Sequence, residues 1–169
     1  MKKGNNIVLI GMPGVGKSTV GVILAKVKGY NFVDADLLIQ EQEGRLLHEI
    51  ISEEGTEDFL RIEEEVNASI VADKTIIATG GSVVYGTQAM KHLSEIGTIV
   101  YLKVSYNTLE KRLEDIKGRG VVLKDGQTLK DLYDERTPIY ERYADITVNE
   151  EHLNVEQTVD ALENKLKSC

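Results

Sequence analysis

Nine residues, GMPGVGKST, run from Gly11 to Thr19 and fit the pattern G-x-x-x-x-G-K-[ST]. Gly11, Gly14 and Gly16 let backbone N–H groups turn toward an anion with no Cβ in the way. A helix opening straight after them adds its positive end. Lys17 has the reach to meet β and γ phosphates, and Ser18 offers a hydroxyl to Mg²⁺. Val15 and Thr19 complete the cradle. The stretch follows an apolar run, Ile7 to Ile10, and leads into GKSTVGVILAKV, which is the strand–loop–helix context the motif requires. The chemistry is the holding of a nucleotide's phosphates. A switch, a motor and a small-molecule kinase all remain open at this point.

Two carboxylates follow in NFVDAD. Asp34 and Asp36 stand two apart at the end of a strand-like run, and strand alternation would put both on one side. Open α/β sheets bind ligands beyond the carboxyl ends of their strands. Asp34 there could hold Mg²⁺ through a water, and Asp36 could accept or anchor an acceptor's hydroxyl proton. Helix capping is the competing use of the same residues. Gly80 and Gly81, in ATGGSVV, allow either a close backbone approach to a ligand or a tight turn. The stretch Ile116 to Thr128, IKGRGVVLKDGQT, has no clear period. It reads as a surface loop or as a lid that closes over nucleotide with Arg119 inside it. A GTPase switch needs N-K-x-D or T-K-x-D to read the base, and neither occurs. D-x-x-G occurs only as DIKG from Asp115, too late in the chain for a switch. No strand run ends in the usual Walker B Asp, which disfavours motors and large ATPases.

The elements that must position these groups alternate. NIVLIG, NFVDAD, TIIATGG, TIVYLKV and ADITVN are short, β-branched runs suited to strands buried on both faces. Helical stretches lie at Lys17 to Lys28, Thr56 to Ala72, Tyr106 to Ile116, Thr128 to Tyr143 and Val155 to Lys167. This order predicts an α/β layer fold with a five-stranded, mostly parallel sheet. At 169 residues there is room for one domain, 1–169, and not for two. A net charge of -8 argues against a nucleic-acid surface. No apolar run approaches the ~18 residues of a membrane span, and the apolar part after Lys2 and Lys3 is too short for a signal peptide. The one cysteine, Cys169, excludes an internal disulfide. The expectation is a cytoplasmic protein, and nothing in the sequence demands more than a monomer.

At this point the residues carry a resemblance. GMPGVGKST, Asp34-Ala35-Asp36, F-x-x-I-E from Phe59 to Glu63, Gly80–Gly81, Arg119 before VVL, and ERTPIYERYAD with Arg136 follow one another as in the shikimate kinase family. The chain resembles that family over nearly its whole length. The resemblance implies a three-layer P-loop kinase fold of the nucleoside-monophosphate-kinase-like type, with a mobile lid at about 116–128 and an acceptor region at about 35–63. It implies ATP and Mg²⁺ as well, with transfer of the γ-phosphoryl group to a hydroxyl of shikimate, giving shikimate 3-phosphate. Lys17 and Ser18 would bind phosphate and metal, Asp34 would lie near the metal, and Asp36 would meet the accepting hydroxyl. Arg119 would reach the moving phosphate, Arg112 would lie against adenine, and Arg136 would grip the acceptor's carboxylate. Phe59, Glu63, Gly80 and Gly81 would line the acceptor pocket.

The acceptor half departs from the family pattern. The family reads F-R-x-x-E, where the Arg is a second carboxylate clamp, and this chain has Leu60 there. Arg61 is a poor substitute: at ~100° per residue it points away from the face shared by Phe59, Ile62, Val66 and Ile70. It has Glu57 and Glu65 as ready surface partners. Thr79 stands first in the family's three-glycine run, Gly120 replaces the Pro after the lid Arg, and Ile51 replaces a pocket aromatic. Losing one of two clamps costs ~1.5–3 kcal/mol, or roughly tenfold to hundredfold in binding. Two readings therefore stand: shikimate gripped with a rearranged contact, or a sister kinase with another small hydroxylated acceptor.

Overall fold

The computed structural model describes residues 3–114 and 126–168. Strand β1 (Asn6–Ile10) is buried at every residue and takes the centre of the sheet. A strand apolar on both faces needs a partner on each side and helices above and below. β3 (Thr75–Ala78) and β4 (Gly97–Lys103) supply the two partners, and β2 (Asn31–Asp34) and β5 (Ile146–Asn149) form the edges. All four pairings are parallel, in the order β2-β3-β1-β4-β5, so the expected five-stranded parallel sheet is observed. Leu9 lies opposite Ala78 on one side and Val100 on the other. This register levels the carboxyl ends of β1 and β3, and the loops that leave them share one edge. The chain turns from one side of β1 to the other after β3, which makes this edge the switch point where such sheets bind ligands.

Seven helices cover the sheet among the described residues: α1 (Lys17–Lys28), α2 (Ala35–Glu43), α3 (Leu47–Ala68), α4 (Thr87–Ile96), α5 (Tyr106–Glu114), α6 (Leu129–Tyr143) and α7 (Val155–Lys167). α1 begins after Gly16 and ends before Gly29, both left-handed. α6 and α7 begin at capping boxes built by Thr128 with Asp131 and by Asn154 with Gln157.

The helical readings need three corrections. The run NFVDAD is not strand throughout: β2 stops at Asp34, which caps α2 by accepting from the N–H groups of Asp36 and Leu37. Strand alternation therefore does not apply to Asp36, which sits in the first turn of a helix. α3 starts nine residues earlier than the stretch from Thr56 and ends at Ala68, with a break at Gly55, where φ is 84°. α2 and α4 are absent from the sequence-based set. The last two residues of the helix expected to reach Ile116, and the lid expected at about 116–128 up to residue 125, lie outside the described residues.

The core divides in two. The larger cluster is the sheet with α1, α4 and α7 against it, and includes Leu9, Leu24, Met90 and Leu162. A smaller one, Ile39, Ile50, Phe59, Ile62 and Val66, joins α2 to α3. Ile70, placed by periodicity on the Phe59 face, falls past the end of α3 and joins the larger cluster.

Candidate functional site

A cleft of about 390 Å³ opens at the carboxyl edge of the sheet, between the two clusters. One end is the glycine loop. Gly14 and Gly16 hold φ near 89° and 88°, conformations that side chains rarely adopt. Lys17 is buried, and its Nζ donates to the carbonyls of Gly11 (2.8 Å) and Met12 (3.0 Å). This ties the ammonium across the mouth of the loop. Ser18 and Thr19 are exposed on the cleft side.

Asp34 does two jobs at once. One carboxylate oxygen caps α2, and the other accepts from Ser18 Oγ at 2.8 Å. The capping role is thus met by one oxygen, and the other faces Ser18 in the phosphate loop. The pair offers hard oxygen donors at the phosphate end, which suits Mg²⁺, an ion that keeps several waters and needs few protein ligands. No group of three or more His, Cys, Asp or Glu side chains able to hold a metal occurs among the described residues.

The other end gathers the acceptor candidates. A Cβ built on Gly80 would stand 2.7 Å from Asp36 Oδ1 and 2.8 Å from Glu63 Oε2, so two carboxylates converge over this glycine. One built on Gly81 would stand 2.9 Å from Arg136 Nη1. A side chain at Gly80 would meet the two carboxylates, and one at Gly81 would meet Pro13 at 2.7 Å as well as Arg136. Arg136 is buried, as is Glu63. Glu63 Oε1 accepts from Ser82 Oγ at 2.6 Å, while Oε2 has no hydrogen-bond partner among the described residues. Burial raises this carboxyl to about 7; Ser82 opposes the shift, Asp36 adds to it, and Arg136 and Lys17 oppose it. Phe59 closes the floor from α3.

The cleft thus brings together Gly14, Gly16, Lys17, Ser18, Thr19, Asp34, Asp36, Phe59, Glu63, Gly80, Gly81 and Arg136. Gly11 and Val15 lie behind it: a Cβ on Gly11 would meet Leu102 O at 2.7 Å, and the Val15 side chain is in the core. Arg112 lies outside the cleft wall, donating to Glu150 at 2.8 Å and to the Val15 carbonyl at 3.4 Å. Arg119 lies outside the described residues. Leu60 packs against the smaller cluster, and Arg61 is turned to solvent with Asp58 and Glu65. No cation takes the place of the missing clamp from this helix.

Sequence reasoning missed Ser82, Tyr85 and Tyr140. Tyr140 Oη donates to the Gly81 carbonyl at 2.6 Å and fixes the glycine turn to α6. The sequence does carry a signal for it: Tyr140 lies one helical turn after Arg136.

A family model described as shikimate kinase matches residues 13–167. A shikimate kinase of Thermodesulfovibrio yellowstonii is 38% identical over 160 residues, covering 93% of this chain and 92% of that protein. One from Sulfurihydrogenibium is 34% identical over 163 residues, covering 96% and 98%. Among solved structures, a shikimate kinase from Acinetobacter baumannii in complex with shikimate superposes with a TM-score of 0.88 at 28% identity, covering 98% of this chain and 94% of that one. A gluconokinase from Sinorhizobium meliloti, at 18% identity and a TM-score of 0.53, shares the fold alone. On the matched span and these identities, the chain belongs to the shikimate kinase family, the kinase family of P-loop type that its motifs resemble.

Proposed function

We propose that this chain transfers the γ-phosphoryl group of ATP to a ring hydroxyl of shikimate, with the two ends of the cleft dividing the work. The observation that carries the reading is the pairing of a glycine-loop lysine at one end with Asp36, Glu63 and Arg136 converging over Gly80 and Gly81 at the other. In this reading the loop N–H groups and Lys17 hold the phosphates. Ser18 and Asp34 would hold Mg²⁺, which supplies charge neutralisation on the phosphate oxygens. Arg136 meets the acceptor's carboxylate with a planar fork suited to it. The acceptor's hydroxyl oxygen forms the new bond to phosphorus, the bond to the ADP oxygen breaks, and the hydroxyl proton passes to Asp36. Arg119 keeps the role the family resemblance implies, at the moving phosphate.

Leu60, with Arg61 facing solvent, favours one second reading: a sister kinase of the same fold with another hydroxylated acceptor. ADP release with ATP, Mg²⁺ and shikimate, taken to high millimolar acceptor, separates the two. Saturable turnover is expected. Binding of ATP without turnover would discard shikimate as the acceptor.

A further inference from the structure

Arg136 is the cation that the cleft aims at the acceptor, and its aim rests on neighbours outside the glycine loop. Its Nε donates to Tyr85 Oη at 3.4 Å, and its guanidinium carbon lies 5.3 Å from the centre of the Tyr85 ring. Tyr85 closes the one-turn 3-10 helix Val83–Tyr85, which is separated from Gly80 and Gly81 only by its cap, Ser82. Its hydroxyl donates to Glu135, the residue beside Arg136 on α6. With its proton committed to Glu135, the hydroxyl turns lone-pair density toward Arg136 Nε. Burial and the Glu135 carboxylate both hold the Tyr85 hydroxyl in its protonated form. The guanidinium is therefore engaged through Nε and one ring face, while its Nη1 lies over Gly81 at the cleft. An arginine side chain has many rotamers, and a held Nε removes most of them before a ligand arrives.

We propose that Tyr85 is a positioning residue that fixes the Arg136 fork for the acceptor's carboxylate, and so sets the chain's preference for an anionic acceptor. The proposal rests on the reading of Arg136 given above. It matters more in this chain because Leu60 offers no second charge from α3 beside the Arg136 guanidinium. Glycine at 81 leaves the space, Tyr140 pins the turn through the Gly81 carbonyl, and Tyr85 sets the angle.

The test is steady-state kinetics of the full chain with two acceptors: shikimate, and an analogue in which a hydroxymethyl group replaces the carboxylate. Tyr85→Phe keeps the ring and removes the hydroxyl; Tyr85→Leu removes both. Against shikimate, Tyr85→Phe should raise KM roughly two- to threefold, and Tyr85→Leu roughly tenfold, as the hydrogen bond and then the cation–π contact are lost. The KM for ATP should stay within twofold in both. Against the neutral analogue both variants should match the wild type, because no carboxylate is there to be aimed at. A purely structural role for Tyr85 would penalise the two acceptors alike, and that result overturns the proposal. So does a shikimate KM within error of the wild type in Tyr85→Phe together with one within twofold in Tyr85→Leu. Should Tyr85→Leu fail to fold, Tyr85→Phe decides by the same comparison. Arg136→Ala keeps the two failures apart. If it raises the shikimate KM while the Tyr85 variants do not, the reading of Arg136 survives and the role of Tyr85 falls. If Arg136→Ala leaves that KM unchanged, both fall.

Discussion

Glu63 shows what burial does to a carboxyl in a pocket. It is buried, it keeps one donor in Ser82, and its second oxygen faces Asp36 across Gly80. Burial dominates, and the carboxyl is pushed up to about 7 from its ordinary 4.5. Between these two values the folded chain holds a proton that the unfolded chain has lost. The unfolded state thus binds fewer protons, and stability falls as pH rises from about 4.5 to about 7. A difference of 7 minus 4.5 corresponds to at most about 3 kcal/mol. Urea unfolding from pH 4.5 to pH 8 should therefore show a downward slope in the wild type that is shallower in Glu63→Gln, whose side chain cannot ionise. Parallel slopes would mean that Glu63 is solvated in the folded protein. The phosphate loop and the two aspartates were legible from motif and position, and Glu63 and Arg136 only through the family resemblance. Gly14, Gly16, Lys17, Ser18, Asp34, Asp36, Glu63 and Arg136 all line the cleft. Ser82 and Tyr85 were not legible, because a hydroxyl's partner is chosen by the fold and leaves no spacing rule behind.

At the scale of elements, the same contrast has a physical cause. α1 and α7 match the residues expected for them, since glycine stops bound one and a capping Asn begins the other. α2 escaped because it starts straight after the residue that ends β2. Asp34 serves as last strand residue and cap together, and Ala35 and Asp36 read as continuing strand. The start of α3 escaped because Gly55 breaks the helical pattern midway. What aligns the strands is a polar residue. Asn6, almost wholly buried at the amino end of β1, donates to the carbonyls of Ala72 (2.8 Å) and Ile96 (2.9 Å) and accepts from the Thr75 N–H (3.0 Å). One side chain thus stitches β1 to the starts of β3 and β4. Asn6→Ala strands three backbone groups and should cost roughly 2–4 kcal/mol. In a domain of this size that lowers Tm by about 5–15 °C. The kcat at 25 °C should stay near the wild-type value, because the cleft is at the opposite end of the strands. A Tm within two degrees of the wild type would show that water replaces the amide without loss.

Taken whole, the molecule is acidic, at -8, while both proposed substrates are anions. Its overall field opposes them, and binding must come from local cations and N–H groups held in the cleft. Those groups come from segments spread from Gly14 to Arg136, and they face each other across the gap between the two core clusters. A ligand in the cleft therefore ties together segments that are far apart in the chain. Ligands that bind only the folded state stabilise it by about 2.7 kcal/mol at a hundred times Kd. That is about 5–11 °C in Tm at this size. ADP with Mg²⁺ and shikimate should each raise Tm separately in the wild type, since they engage opposite ends of the cleft. Arg136→Ala should abolish the shikimate shift and keep the nucleotide shift, because Lys17, Ser18 and Asp34 are untouched. Thermal unfolding with each ligand alone reads both effects in one experiment. Loss of both shifts in Arg136→Ala would make Arg136 a strut of the whole cleft and end its assignment to the acceptor. Retention of both would leave the carboxylate to be held by some other group.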